Sequence, residues 1–87
     1  MANYTVIFKG MEVFEGVVNG PETLDFQEFS KKITITNDHA SKDMTFKFSA
    51  SGAPATLKPG ETVSWNFMSL EVIIDGDVVD YRIWIIY

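Results

Sequence analysis

Eighty-seven residues with seven basic and twelve acidic side chains, a formal net charge of -5 and no cysteine describe one domain, residues 1–87. It would repel rather than gather a polyanion, and neither a disulfide nor a thiolate metal site braces it. A chain this short buries only about 60% of its unfolded surface on folding, and at 46% hydrophobic and 14% aromatic residues it is expected to gain further burial against a partner.

Tyr4 to Lys9 and Met11 to Val18 are rich in β-formers and are interrupted by Gly10, as in a hairpin or in one strand broken by a bulge. Asn19-Gly20-Pro21 closes that unit with turn chemistry. In Thr23 to Ser30, Leu24 and Phe26 share a face and Phe29 is out of phase, which predicts a strand with an irregular end, a short helix being the rival.

The stretch Lys32 to Phe67 organises the rest. Ile33 and Ile35 alternate with threonines, Met44, Phe46 and Phe48 with Thr45 and Lys47, and Val63, Trp65 and Phe67 with Ser64 and Asn66. A period of two puts each apolar set on one face of a half-buried antiparallel strand. The polar run Asn37 to Asp43 is expected to join the first two as a hairpin. Ala55 to Leu57 is a brief strand whose Leu57 plugs the core, and Lys58-Pro59-Gly60-Glu61 fits a type II turn with Gly60 at positive φ. Asp75-Gly76, between Glu71–Asp75 and Val78–Tyr87, is a second hairpin signal, with Gly76 also at positive φ. These elements predict an all-β antiparallel sandwich of about eight short strands, immunoglobulin-like or jelly-roll-like. Ile33, Ile35, Phe46, Phe48, Leu57, Val63, Trp65 and Phe67 would share its one core.

No constellation supports catalysis or a cofactor. Asp75, Asp77 and Asp80 alternate as calcium ligands do, but the loop is too short for an EF-hand and a solvated hairpin tip explains it. His39, beside Asp38, Ser41 and Asp43, is the single histidine; neighbours on one loop tip have the wrong geometry for a triad, and zinc would need more ligands. An enzyme is therefore not expected, and neither is a metal. The last run is apolar on both faces, with Tyr81, Ile83, Ile85 and Tyr87 on one and Trp84 and Ile86 on the other. Further second-face apolar residues stand at Ile7, Phe14 and Ile73. A strand of this kind must be covered on both sides, so Tyr81, Trp84, Ile86, Tyr87 and Ile73 are expected to form an interface, and the protein to be a homo-oligomer.

The succession of an ITITN strand, a polar tip, MTFKFS, a small-residue loop and ATLKPGETVSW resembles immunoglobulin-like and related sandwich domains of structural and adhesive proteins. With the terminal Tyr-Arg-x-Trp strand, residues 32–87 resemble small virion proteins of tailed bacteriophages: capsid decoration, head-fibre and tail or baseplate modules. The resemblance implies an acidic structural protein of the virion, without cofactor, bound to copies of itself or to capsid or tail proteins. It also leaves open a glycan- or receptor-binding module at a fibre or tail tip, walled by residues 37–43 and 49–53. The start of the chain lacks the basic and apolar regions of a signal peptide, and no run reaches the ~20 apolar residues of a membrane span. Synthesis in a host cytoplasm is the expectation, with neither nucleic acid nor membrane as partner.

Overall fold

Strands alternate between two antiparallel sheets along the chain, so most neighbours in sequence are not neighbours in a ladder. The computed structural model describes residues 4–8, 10–18, 21–75 and 79–87, and the side chains of residues 10–17, 21–74 and 80–87. Nine strands lie among the described residues: β1 Tyr4–Phe8, β2 Met11–Val18, β3 Glu22–Asp25, β4 Lys32–Asn37, β5 Met44–Lys47, β6 Ala55–Leu57, β7 Thr62–Trp65, β8 Glu71–Asp75 and β9 Val79–Ile86. One sheet runs β1-β2-β9-β4-β7 and the other β3-β8-β5-β6.

The pairing is nested. β2 pairs with β9, β3 with β8, β4 with β7 and β5 with β6, and successive pairs fall in alternate sheets. That is one long antiparallel hairpin wound into a roll, the jelly-roll order rather than the immunoglobulin-like one, with β1 added beside β2. The β1–β2 hairpin is real: Phe8 faces Met11 across a turn in which Gly10 has φ 77°.

Two expected hairpins are not formed. β4 does not pair with β5, nor β8 with β9; at 38–43 and again after Asp75 the chain crosses from one sheet to the other. Turn chemistry requires only that the chain reverse, and the partner of the emerging strand is set by which apolar face it must cover. Gly76 and Asp77 lie outside the described residues. The turn at Gly60 is as expected: φ is 80°, and the Glu61 amide donates to the Lys58 carbonyl at 3.0 Å. A Cβ built there would meet nothing within 4 Å, so Gly60→Val should cost backbone strain alone, about 1–2 kcal/mol. Urea unfolding reads this; a loss inside the ~0.5 kcal/mol scatter of surface substitutions would mean that the turn relaxes to another type.

The inward faces of both sheets build one core from Phe14, Leu24, Phe26, Ile33, Ile35, Met44, Phe46, Leu57, Val72, Ile74, Tyr81, Ile83 and Ile85, with Phe48 and Val63 packed against it. Trp65 and Phe67 do not join them. They are 39% and 43% exposed, because β7 is the free edge of its sheet and Trp65 is its last residue. The segment 23–30 combines both features foreseen for it: Leu24 and Phe26 are buried, while Phe29 is 55% exposed beyond the end of β3.

Candidate functional site

The two ends of the roll differ in chemistry. At one end the connections 26–31, 48–54 and 66–70 meet the end of β9. The Phe26 amide donates to the Leu70 carbonyl (2.8 Å), that of Ser30 to Ser69 (2.9 Å), that of Lys31 to Ile86 (2.7 Å) and that of Phe67 to Lys31 (3.1 Å). The buried Ser30 hydroxyl locks two of these loops together, donating to the Phe67 carbonyl at 2.6 Å and accepting from the Ser69 amide at 2.9 Å.

Half of this end is closed by a polar latch. Glu12, on the inward face of β2 and 3% exposed, accepts the Tyr87 phenol hydrogen, and the Tyr87 oxygen accepts the Gln27 amide at 3.1 Å. Burial, then the bond to Glu12, raises the Tyr87 phenol well above the ordinary tyrosine range, so it stays a donor at neutral pH. Phe14 and Phe26 pack at 6.1 Å beside it. One oxygen of the Glu12 carboxylate is engaged by this latch.

The other half is an aromatic mouth. Phe48 meets Phe67 at 4.7 Å, Trp65 edge-on at 6.1 Å and Phe46 edge-on at 5.7 Å, and Trp65 lies 5.8 Å from Phe46. Phe46 is the buried floor; Phe48, Trp65 and Phe67 are the part-open rim, with exposed Met68 and Leu70 on the following loop. Tilted and edge-on contacts place the positive edge of one ring on the negative face of another, which holds such a cluster in shape without full burial. Among the described residues no cavity opens between the sheets, so the rim is a surface platform.

The opposite end is structural. Asn37 is fully buried there; its Nδ2 donates to the carbonyls of Lys42 (2.8 Å) and Leu57 (3.1 Å), and its Oδ1 accepts the His39 amide at 2.9 Å. His39 Nδ1 accepts the amides of both Ser41 and Lys42 at 3.0 Å, so the histidine organises its own loop and that nitrogen has no lone pair left for a base. Arg82 grips Asp38 with two bonds of 2.6 and 3.0 Å. Residues 37–43 thus lie at one end of the roll and 49–53 at the other, and they cannot wall a single glycan site.

The expected interface residues separate three ways. Trp84 and Ile86, 43% and 38% exposed, stand on the outer face of the five-stranded sheet. Tyr81 is in the core, 1% exposed; its hydroxyl has no hydrogen-bond partner among the described residues, and burial, helped by Glu22, raises its phenol above the usual range. Tyr87 turns inward to Glu12, and Ile73 lies on the outer face of the other sheet. Phe14, read as second-face, is core; the side chain of Ile7 lies outside the described residues. A metal ion between the sheets would need converging imidazole, thiolate or carboxylate groups, and the described residues hold no group of three.

No protein-family model and no curated protein matches the chain. Solved structures do. A cupin superfamily protein from Desulfitobacterium hafniense matches with TM-score 0.67 at 7% identity over 98% of this chain and 75% of its own. The cupin_2 domain of an XRE family transcriptional regulator from Enterobacter cloacae matches with TM-score 0.67 at 15% identity, over 99% and 95%. An HTH_3 family transcriptional regulator from Vibrio cholerae matches with TM-score 0.64 at 13% identity, over 98% of this chain and 49% of that one. The fold is the cupin-type roll. This overturns the resemblance to phage virion proteins, and with it the structural role in a capsid or tail, the fibre-tip alternative and the virion location. Strand alternation and Pro-Gly turns recur in any antiparallel sandwich and carry no information on strand order, which is where a cupin-type roll differs from an immunoglobulin-like domain.

The alternation placed Trp65 and Phe67 in the core, where only Phe48 of the rim packs against it, and it overlooked the buried roles of Asn37 and Glu12. Asn37 was detectable, since it continues the inward phase of Ile33 and Ile35. For Glu12 there was no signal, because the apolar residues of β2 fall on both faces.

Proposed function

We propose that the chain is a non-catalytic ligand-binding domain that holds a small ring-bearing compound against Phe48, Trp65 and Phe67. The observation that carries this reading is the aromatic rim left part-open at one end of an otherwise sealed roll. Aromatic faces offer a ring both apolar contact and quadrupole complementarity, each ring pair adding about 0.5–1.5 kcal/mol beyond area burial. Two of the similar structures belong to transcriptional regulators, which supports a domain that responds to a compound rather than one that transforms it. The buried carboxylate at this end, Glu12, already accepts the Tyr87 hydroxyl, which also favours binding over acid-base chemistry.

A platform that covers a ligand on one side only gives affinities on the order of a millimolar, about −4 kcal/mol. Titrating the 15N-labelled protein with benzoate, nicotinamide and adenosine should move the Trp65 indole N–H resonance and leave that of Trp84 in place. Trp65→Ala combined with Phe67→Ala should abolish the shifts that persist at neighbouring amides. If none of the three probes moves Trp65 at about 10 mM, well above the expected dissociation constant, the rim is not a ligand platform.

A further inference from the structure

The outer face of the five-stranded sheet has an apolar centre. Trp84 and Ile86 project from β9, and across the ladder Val13 faces Trp84 and Met11 faces Ile86. Val13 is only 7% exposed yet lies outside the core cluster, so its burial is on the outer side. Toward β7 the face turns hydroxylic, with Thr34 bonded to Ser64 and Thr36 to Thr62, each at 2.9 Å. The charges around this centre are not random. Glu15 faces Arg82, one strand to one side of β9 and two residues from the level of Trp84; Lys32 faces Ile86, one strand to the other side and two residues from that level in the opposite direction. Trp84 is therefore the midpoint between an acid and a base.

We propose that this face pairs with the same face of a second copy about a two-fold axis through Trp84. The axis lies in the interface at right angles to the line from Glu15 to Lys32. It sets Glu15 of each protomer over the partner's Lys32, twice, and stacks the two Trp84 rings at the centre. The same operation carries Ile86 over the partner's Val13, where it covers what little of that side chain its own protomer leaves open. With strands about 4.8 Å apart and a rise of about 3.4 Å per residue, the strands of the two faces cross at about 70°, nearer the orthogonal class of sheet packing than the aligned one. Trp84 has the aliphatic Val13 and Ile86 on two sides and Thr34 and Arg82 on the other two; an aromatic anchor beside aliphatic residues, with polar and charged groups around it, is the anatomy of a specific interface. A two-fold needs one self-complementary patch, and the opposite charges placed symmetrically about Trp84 supply it. The aromatic mouth is formed by rings of β5, β7 and the connections that follow them, away from the outer face of this sheet, and stays open in this dimer.

Sedimentation velocity over a dilution series tests the pairing. The wild type is expected to sediment as a dimer that dissociates on dilution. Trp84→Ser with Ile86→Ser should give a monomer with an unchanged far-ultraviolet circular dichroism spectrum. Glu15→Lys or Lys32→Glu alone turns two attractive contacts into two repulsive ones and should raise the dimer dissociation constant about tenfold or more. The two reversals together should restore it to within a few-fold. Glu15 also feels Arg82 in its own chain, so thermal unfolding of each charge variant, measured where it is monomeric, separates effects on the fold from effects on association. A wild type that is monomeric throughout, a dimer indifferent to the Trp84 and Ile86 changes, or a double reversal no tighter than the single ones would each overturn the proposal.

Discussion

Replacing Asn37 with alanine is expected to cost about 3–5 kcal/mol, a large share of the ~5–15 kcal/mol by which domains are stable. The side chain is 0% exposed and ties two segments to β4: the 38–43 crossing through His39 and Lys42, and β6 through Leu57. Its backbone carbonyl also accepts the Gly60 amide at 2.9 Å, and its amide donates to Glu61 at 3.0 Å. Alanine keeps these backbone bonds but removes two donors and one acceptor, and the Leu57 carbonyl then has no water to turn to. A buried group stripped of its partner costs about 1–3 kcal/mol. Asn37→Asp should be worse at neutral pH, because a buried carboxylate would face two carbonyl oxygens. It should recover part of the loss as the pH falls, since only the protonated carboxyl can donate to one of them. Equilibrium urea unfolding at two pH values measures both. An alanine variant that loses under ~1 kcal/mol would show that the crossing loops stand without this residue.

Phe46→Ala should have an effect of similar size for a different reason. Phe46 is 1% exposed at the centre of the core, and truncating a buried phenylalanine costs about 3–5 kcal/mol through lost transfer energy and the cavity left behind. Here the ring is also the floor under Phe48 and Trp65. The variant should therefore loosen the mouth as well, seen as exchange broadening of the Trp65 indole resonance. Trp65→Ala, at a part-open position, should cost clearly less than Phe46→Ala. Equal losses would mean that Trp65 belongs to the core and is not a rim residue.

Alternation was legible wherever one face is sealed. In Lys32–Asn37 the inward set Ile33, Ile35 and Asn37 is buried without exception, and in Tyr81–Ile86 the burial alternates residue by residue, because a slip of one position would turn every apolar side chain to water. At the mouth the same rule failed. Trp65 and Phe67 are in phase with Val63, but phase reports direction and not depth, and an inward side chain at the end of an edge strand reaches the rim.

What the sequence by itself determined is local: which residues lie in strands, which way the side chains face where one face alone is apolar, as in β4 and β5, and the turn at Gly60, where positive φ leaves little choice of residue. Only the tertiary structure decided which strands pair. Strands that follow one another across residues 38–43, and again after Asp75, enter different sheets, and nested pairing brings β2 to β9 and β4 to both β7 and β9. The physical reason is that backbone ladders are nearly indifferent to the identity of the neighbouring strand. The choice is made by the collective demand that both sheets close their apolar faces over one core, and that demand involves residues far apart in the chain. The same long-range closure gathers Phe46, Phe48, Trp65 and Phe67 from two sheets into one mouth, and centres Trp84 between Glu15 and Lys32 on a face that none of their sequence neighbours could define.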